Sequence, residues 1–244
     1  MKQNKYDEPE FFANYSQMAR SQQGLEAAGE WYELRTMLPD LKDKDVLDLG
    51  CGFGWHCRYA RQQQAKSVLG IDLSENMLQR AIQMTDDPKI EYRLQAIEDI
   101  DYAPEQFDVV ISSLALHYLQ RLDEVYAKIS TCLKSGGTLV LSVEHPIFTA
   151  RAEQDWHYGA QGEIQHWPVD HYQQEGRRVA RFLDQDVVKY HRTVATHLNE
   201  LINAGFVIQQ VAESKPSSDM VEQVPGMRDE LRRPMFLMIA ASKV

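Results

Sequence analysis

The chain predicts an α/β fold: a doubly wound, mostly parallel sheet with helices on both faces. Three observations carry this. Short apolar runs recur near 45–49, 67–72, 89–94, 107–113 and 137–144, with the length and composition of strands buried on both sides. Helical patterns lie between them near 54–64, 74–84 and 120–133. In the last, Leu119, Leu122, Tyr126, Ile129 and Leu133 recur at three- and four-residue steps. The runs also end in glycines, carboxylates or small polar residues, at the strand tips where such sheets bind ligands.

The bounds agree. A chain of 244 residues suits one domain carrying an insertion. Its 43% hydrophobic and 25% charged residues are those of an ordinary globular protein, and no apolar run reaches membrane-span length. A net charge of −10 repels phosphate backbones, which argues against a nucleic-acid substrate. Cys51, Cys57 and Cys132 form no C-x-x-C pair. With Met1–Glu10 polar and lacking an apolar signal core, a cytoplasmic setting is expected.

Taking the elements in order, Glu8 to Leu38 reads as two helices. Phe11, Phe12, Tyr15 and Met18 lie on the first; Leu25, Ala28, Trp31 and Leu34 lie on the second; Gly24 stands between them and Pro39 ends the pair. Residues 1–40 are thus a helical cover on a single domain, 1–244. The first core strand, Val46–Leu49, enters a turn with Asp48, Gly50, Gly52 and Gly54 at alternate positions. Those glycines let a ligand lie against bare main chain, and the following helix aims free N–H groups at it. A dinucleotide site wants G-x-G-x-x-G, and Trp55 stands where its third glycine belongs. The second strand ends at Asp72, at the spacing where a carboxylate accepts from ribose hydroxyls. Ser74 is a helix cap, with Leu73, Met77 and Leu78 beside it as apolar flanks for a purine. The strand Phe107–Ser113 runs through Ser112 into a second loop, Leu114–Leu119. Leu133–Ser142 reads as a helix stopping at Gly136-Gly137 before the next strand.

These four motifs, in this order, resemble the small-molecule branch of the class I S-adenosylmethionine-dependent methyltransferases, of the type 11 kind, closely over roughly residues 40–145. The resemblance implies a seven-stranded, Rossmann-like sheet whose antiparallel end is made by the last two strands. It implies S-adenosyl-L-methionine as cofactor and S-adenosyl-L-homocysteine as product. By position, Asp48, Gly50, Gly52, Gly54, Asp72, Leu73, Met77 and Ser112 fall to the cofactor. Ala96 stands where the family commonly has an aspartate on the adenine amine, so Glu98 or Asp99 takes that place beside the Ile97 main chain. In many relatives the leading segment covers the cofactor, which would bring Tyr15 and Arg20 to its methionine carboxylate.

Residues 145–190 change character, with clustered His, Trp and Tyr. They read as an insertion of short antiparallel strands on the substrate side, turning at Asp184-Gln185-Asp186. A helix, Thr193–Ala204, stops at Gly205, and strands at 206–212 and 235–241 follow. Methyl transfer to O or N of a small-molecule acceptor needs in-line positioning first and a general base second. The base candidates are His117 and His145, just past strand ends, with Tyr172 and His191 in or beside the insertion. No metal site is expected, since no histidine pair has a carboxylate partner at ligand spacing. Oligomeric state and acceptor identity are not legible. Two other functions remain open: a catalytically silent methyltransferase-like binding subunit, and an NAD(P)-binding oxidoreductase, which Trp55 disfavours.

Overall fold

The computed structural model describes residues 2–224 and 226–244. A 3-10 turn at Lys5–Asp7 precedes α1 (Pro9–Gln17), α2 (Ala19–Gln23) and α3 (Trp31–Met37). The core then alternates: β1 (Asp45–Leu49), α4 (Trp55–Gln62), β2 (Ser67–Asp72), α5 (Glu75–Gln83), β3 (Ile90–Leu94), β4 (Phe107–Ser113), α6 (Leu122–Cys132) and β5 (Leu133–Glu144). Next come α7 (Pro146–Thr149), β6 (His157–Tyr158), β7 (Ile164–His166), β8 (Gly176–Phe182) and β9 (Gln185–His191). The chain closes with α8 (Val194–Asn203), β10 (Phe206–Glu213), α9 (Ser218–Gln223), α10 (Met227–Glu230) and β11 (Phe236–Lys243).

Seven strands form one sheet in the order β10-β11-β5-β4-β1-β2-β3. Strand β11 runs antiparallel to both β5 and β10, and the other pairs are parallel, as the expected fold requires. The chain steps outward from β1 through β2 to β3, then returns to β4 on the other side of β1. That reversal opens a cleft beyond the carboxyl ends of β1 and β4. One face of the sheet packs Leu122, Tyr126 and Ile129 of α6 and Leu201 of α8 against Leu47, Leu49, Val110 and Leu139. On the other face, Cys57 and Ala60 of α4 and Leu78 of α5 meet Val46, Val68 and Ile111, while Trp31 and Leu34 of α3 meet Val140 and Met238. Each fully buried large apolar side chain contributes about 1.5–3 kcal/mol, enough to fix which way every strand faces.

Three local expectations change. The N-terminal cover has three helices, not two. Met18 takes an extended backbone that ends α1, and at Gly24 (φ +76°) a Cβ would lie 2.7 Å from the Trp55 ring. Helix α6 stops at Cys132, short of the glycine pair, because Leu133 already pairs with Phe107 as a strand. The β8–β9 turn falls at Leu183-Asp184, both with positive φ, as a two-residue hairpin turn demands.

Candidate active site

The tips of β1 and β2 are locked together by main-chain bonds. Gly50 and Cys51 both donate their N–H to the Ile71 carbonyl at 2.9 Å. Asp72 completes the lock: one carboxylate oxygen accepts from Gly52 N at 2.8 Å, the other from Ser74 N at 2.9 Å. Burial raises the Asp72 pKa, and the two N–H donors oppose that rise. The three glycines of the turn differ in what surrounds them. At Gly52 (φ +52°) a Cβ would meet nothing within 4 Å, so this is the bare stretch of main chain. At Gly54 (φ +71°), which caps α4, a Cβ would run into the Tyr92 hydroxyl, so this glycine serves packing. Gly50 is held against Ala115 in the same way.

A cavity of about 490 Å³ begins at this turn and runs to the β8–β9 hairpin. Its size lies within the range of about 300–1,000 Å³ usual for small-molecule sites. Gly50, Asp72, Leu73, Met77, Ile97 and Glu98 line one end, with Tyr15 and Arg20 from the N-terminal segment. A smaller hollow of about 60 Å³, which also touches Tyr15, Arg20 and Gly50, reaches Gly52, Ser21 and Trp55. The structure thus gathers most of the cofactor candidates and leaves three behind the wall. Asp48 is buried and accepts from the Cys57 thiol at 3.2 Å; burial pushes its pKa up to about 7. Gly54 faces Tyr92. Ser112 donates to the Leu49 carbonyl at 3.0 Å, and it is the next residue, Ser113, that opens to the cavity. Asp99 pairs with Lys2 and does not line the cavity.

The N-terminal segment roofs the cavity by specific bonds. The Asp7 carboxylate caps α5 from outside its own segment, accepting from Ser74 Oγ at 2.6 Å and Asn76 N at 3.1 Å. Gln3 bonds both main-chain groups of Val188 in β9, at 3.3 and 2.7 Å. Phe11 meets Phe182 edge to face at 5.9 Å, and the hydroxyls of Tyr6 and Tyr118 lie 3.2 Å apart.

Of the four base candidates, only His117 lines the cavity. It is buried, and its Nδ1 accepts from Glu144 N at 3.4 Å, which leaves the proton of the neutral ring on Nε2. Burial lowers its pKa to about 4, so it is neutral at pH 7. The other three are corrected by their surroundings. His145 Nδ1 caps α7 through Ile147 N, and Nε2 meets Glu213 at 2.8 Å. His191 is spent between Thr149 Oγ1 at 2.8 Å and the Tyr172 carbonyl at 2.9 Å. The Tyr172 hydroxyl accepts from Val194 N at 3.1 Å. These bonds fasten the insertion to the core and keep the three side chains out of the cavity wall.

The far end holds a cluster that sequence reasoning passed over. Lys189, 2% exposed, donates to Glu144 at 2.5 Å and to Gln154 at 3.0 Å, and Gln154 donates to the other Glu144 oxygen at 3.0 Å. Burial pushes the Glu144 pKa up, but His117, Lys189 and Gln154 outweigh it and hold the carboxyl below its usual range. The alternation of β9 was the available signal, since it sets Val187, Lys189 and His191 on one inward face.

A family profile described as a methyltransferase domain matches residues 47–141. Two solved structures resemble the chain over nearly their whole length. One is a Listeria monocytogenes protein assigned as an S-adenosylmethionine-dependent methyltransferase, 52% identical, covering 91% of this chain and 99% of that one, with a TM-score of 0.86. The other is an S-adenosylmethionine-dependent methyltransferase from Mesorhizobium loti, 43% identical, covering 90% and 100%, with a TM-score of 0.85. A Haemophilus influenzae protein of uncharacterized function is 35% identical over 98% of this chain and 96% of its own.

Proposed function

The chain belongs to the class I S-adenosylmethionine-dependent methyltransferases, and we propose that it transfers the methyl group to O or N of a small-molecule acceptor. The observation that carries this is the cavity running from Gly50 and Asp72 to the buried Lys189–Glu144 pair under a bonded roof. A net charge of −10 supports the exclusion of nucleic acid. Among the described residues no helix is long and apolar enough to cross a membrane. The three cysteines are buried and free, which supports a reducing, cytoplasmic setting.

The residues fit the cofactor. Gly52 offers main chain with open space above it, and Asp72 keeps lone pairs free for the ribose beside its two N–H bonds. Leu73, Met77 and Ile97 flank the nucleoside, with Glu98 at the adenine edge. The buried polar atoms that lack a partner among the described residues include Ser21 Oγ, Trp55 Nε1 and Glu30 Oε2. Ser21 and Trp55 line the smaller hollow, and Arg20 pairs with the other Glu30 oxygen at 2.6 Å. The Ser21 and Trp55 donors in that hollow suit the carboxylate end of an amino acid, and leaving them unpaired is costly. Asp48, Gly54 and Ser112 hold the shape of the turn from behind.

The bound cofactor supplies an electrophilic methyl on a sulfonium. The chain's own work is to hold a nucleophile in line with it and to keep water out; such positioning supplies about 7–11 kcal/mol in favourable cases. Incubating the protein with methyl-labelled cofactor and an ultrafiltered metabolite extract tests the proposal. Label in a small product supports it. Label that enters only RNA or protein overturns it.

A further inference from the structure

Beyond the turn and the ribose carboxylate, the far half of the cavity has a simple hydrogen-bonding balance. Each carboxylate, amide and imidazole acceptor there already takes a hydrogen bond. One Glu144 oxygen takes the Lys189 ammonium and the other the Gln154 amide, while the Gln154 oxygen takes a second Lys189 N–H. His117 Nδ1 takes the Glu144 main-chain N–H. Beside the remaining lone pairs of Glu144 and of the tyrosine hydroxyls stand hydrogens with no acceptor. His117 Nε2–H has no partner among the described residues. Lys189 keeps a third N–H, its nitrogen 5.4 Å from the Phe182 ring centre. Tyr6 and Tyr118 share one hydrogen bond between two hydroxyls, so one phenolic proton is spare. All four side chains line the cavity.

We propose that the acceptor presents an ionised carboxylate to this end of the cavity, and that the His117 Nε2–H holds one of its oxygens while the other is methylated to an ester. This rests on the small-molecule proposal above. An ionised carboxylate is acceptor-only, so it satisfies a wall of spare donors. An amine brings further N–H groups and leaves the His117 and Lys189 donors unpaired, which is costly in a buried site. The bonding change balances without help: a carboxylate oxygen forms the bond to the methyl carbon as the S–CH₃ bond breaks, and its electron pair stays on sulfur. The anion and the sulfonium both end neutral, and no proton moves. A cavity whose histidine is held neutral, and is already accepting through Nδ1, needs no base for that step. The donor wall leaves the protein to choose the acceptor by its carboxylate, with Phe148, Phe182 and Phe236 offering apolar surface to the rest of it.

The test uses the whole protein, methyl-labelled S-adenosylmethionine and a small-metabolite extract supplemented with common mono- and dicarboxylic acids. Labelled product is treated with alkali, which frees volatile methanol from methyl esters and from neither ethers nor amines. Volatile label from the small-molecule fraction supports the proposal. Alkali-stable label in that fraction overturns the carboxylate while leaving the small-molecule acceptor standing. Label confined to macromolecules overturns both. Absence of label with the supplemented acids overturns the carboxylate. His117→Phe should lower ester formation at least about tenfold through KM, with S-adenosylhomocysteine affinity unchanged; His117→Gln, which restores an N–H donor, should recover part of it. Unchanged ester formation by a folded His117→Phe protein overturns the role given to Nε2.

Discussion

Replacing Asp72 by alanine tests the cofactor assignment at its most specific point. The side chain holds two main-chain N–H groups, Gly52 N at 2.8 Å and Ser74 N at 2.9 Å, and turns its remaining lone pairs to the cavity. Hydrogen bonds to a charged group are each worth about 1.5–3 kcal/mol when one partner is removed. Losing even one of the ribose contacts should therefore weaken S-adenosylhomocysteine binding by roughly 10- to 150-fold, at about 1.4 kcal/mol per factor of ten. The alanine also frees the Gly52 turn, so Asp72→Asn is needed beside it: the amide keeps one acceptor for the turn and loses the charge. Titration calorimetry on both variants, after thermal melting shows them folded, reads the effect. Affinity within about twofold of the unmutated protein in a folded Asp72→Ala variant would refute the ribose contact.

Two glycine substitutions should separate binding from folding. Gly52→Ala places a methyl in the open space above the turn, at a strain cost from φ +52° that melting reads separately, and should weaken cofactor binding at least about tenfold in the folded protein; calorimetry with normal affinity would contradict it. Gly54→Ala puts a Cβ against the Tyr92 hydroxyl at positive φ and should lower stability by about 1–3 kcal/mol, read as a lowered melting temperature. Burial lowers the pKa of His56 and His117 to about 4 and of His197 to about 3. The unfolded chain therefore binds more protons below pH 6.5, and stability should fall as pH drops from about 6.5 toward 4, by up to about 3 kcal/mol per histidine. Urea midpoints across that range test this, with a shallower slope expected for His197→Gln. Asp48 acts with the opposite sign. Its pKa rises from 3.8 to about 7 on folding, so the stability it contributes is full below pH 4 and lost by pH 7. Asp48→Asn should match the unmutated protein near pH 4 and exceed it by up to about 4 kcal/mol at pH 8; equal stability at pH 8 would contradict the buried acid.

The sheet was legible because parallel strands buried on both faces are continuous apolar runs, and the open turn after β1 because three glycines follow that strand. What the sequence could not convey is direction. Ser112 and Ser113 are adjacent, and the twofold period of β4 turns one into the core and the other into the cavity. Gly54 matches the motif by spacing but is demanded by a tyrosine thirty-eight positions later, close only in the folded chain. His145, His191 and Tyr172 have the right chemistry for bases, and long-range partners take up their polar atoms. Arg20 was expected at the cofactor's carboxylate; the partner the structure gives it is Glu30, across a break between helices, which no local pattern announces. Lys189 escaped because a charged residue in a short strand reads as solvent-facing, and nothing local announces a buried carboxylate forty-five residues earlier in the chain.

The central claim is that the cofactor lies along the Gly50–Gly52 main chain with its sugar on Asp72 and its sulfur turned toward His117. A crystal structure with S-adenosylhomocysteine bound tests it directly. The account predicts both ribose hydroxyls within hydrogen-bonding distance of the Asp72 carboxylate and the thioether sulfur facing the half of the cavity that holds His117 and Lys189. Ligand density elsewhere, or a ribose without contact to Asp72, would contradict it.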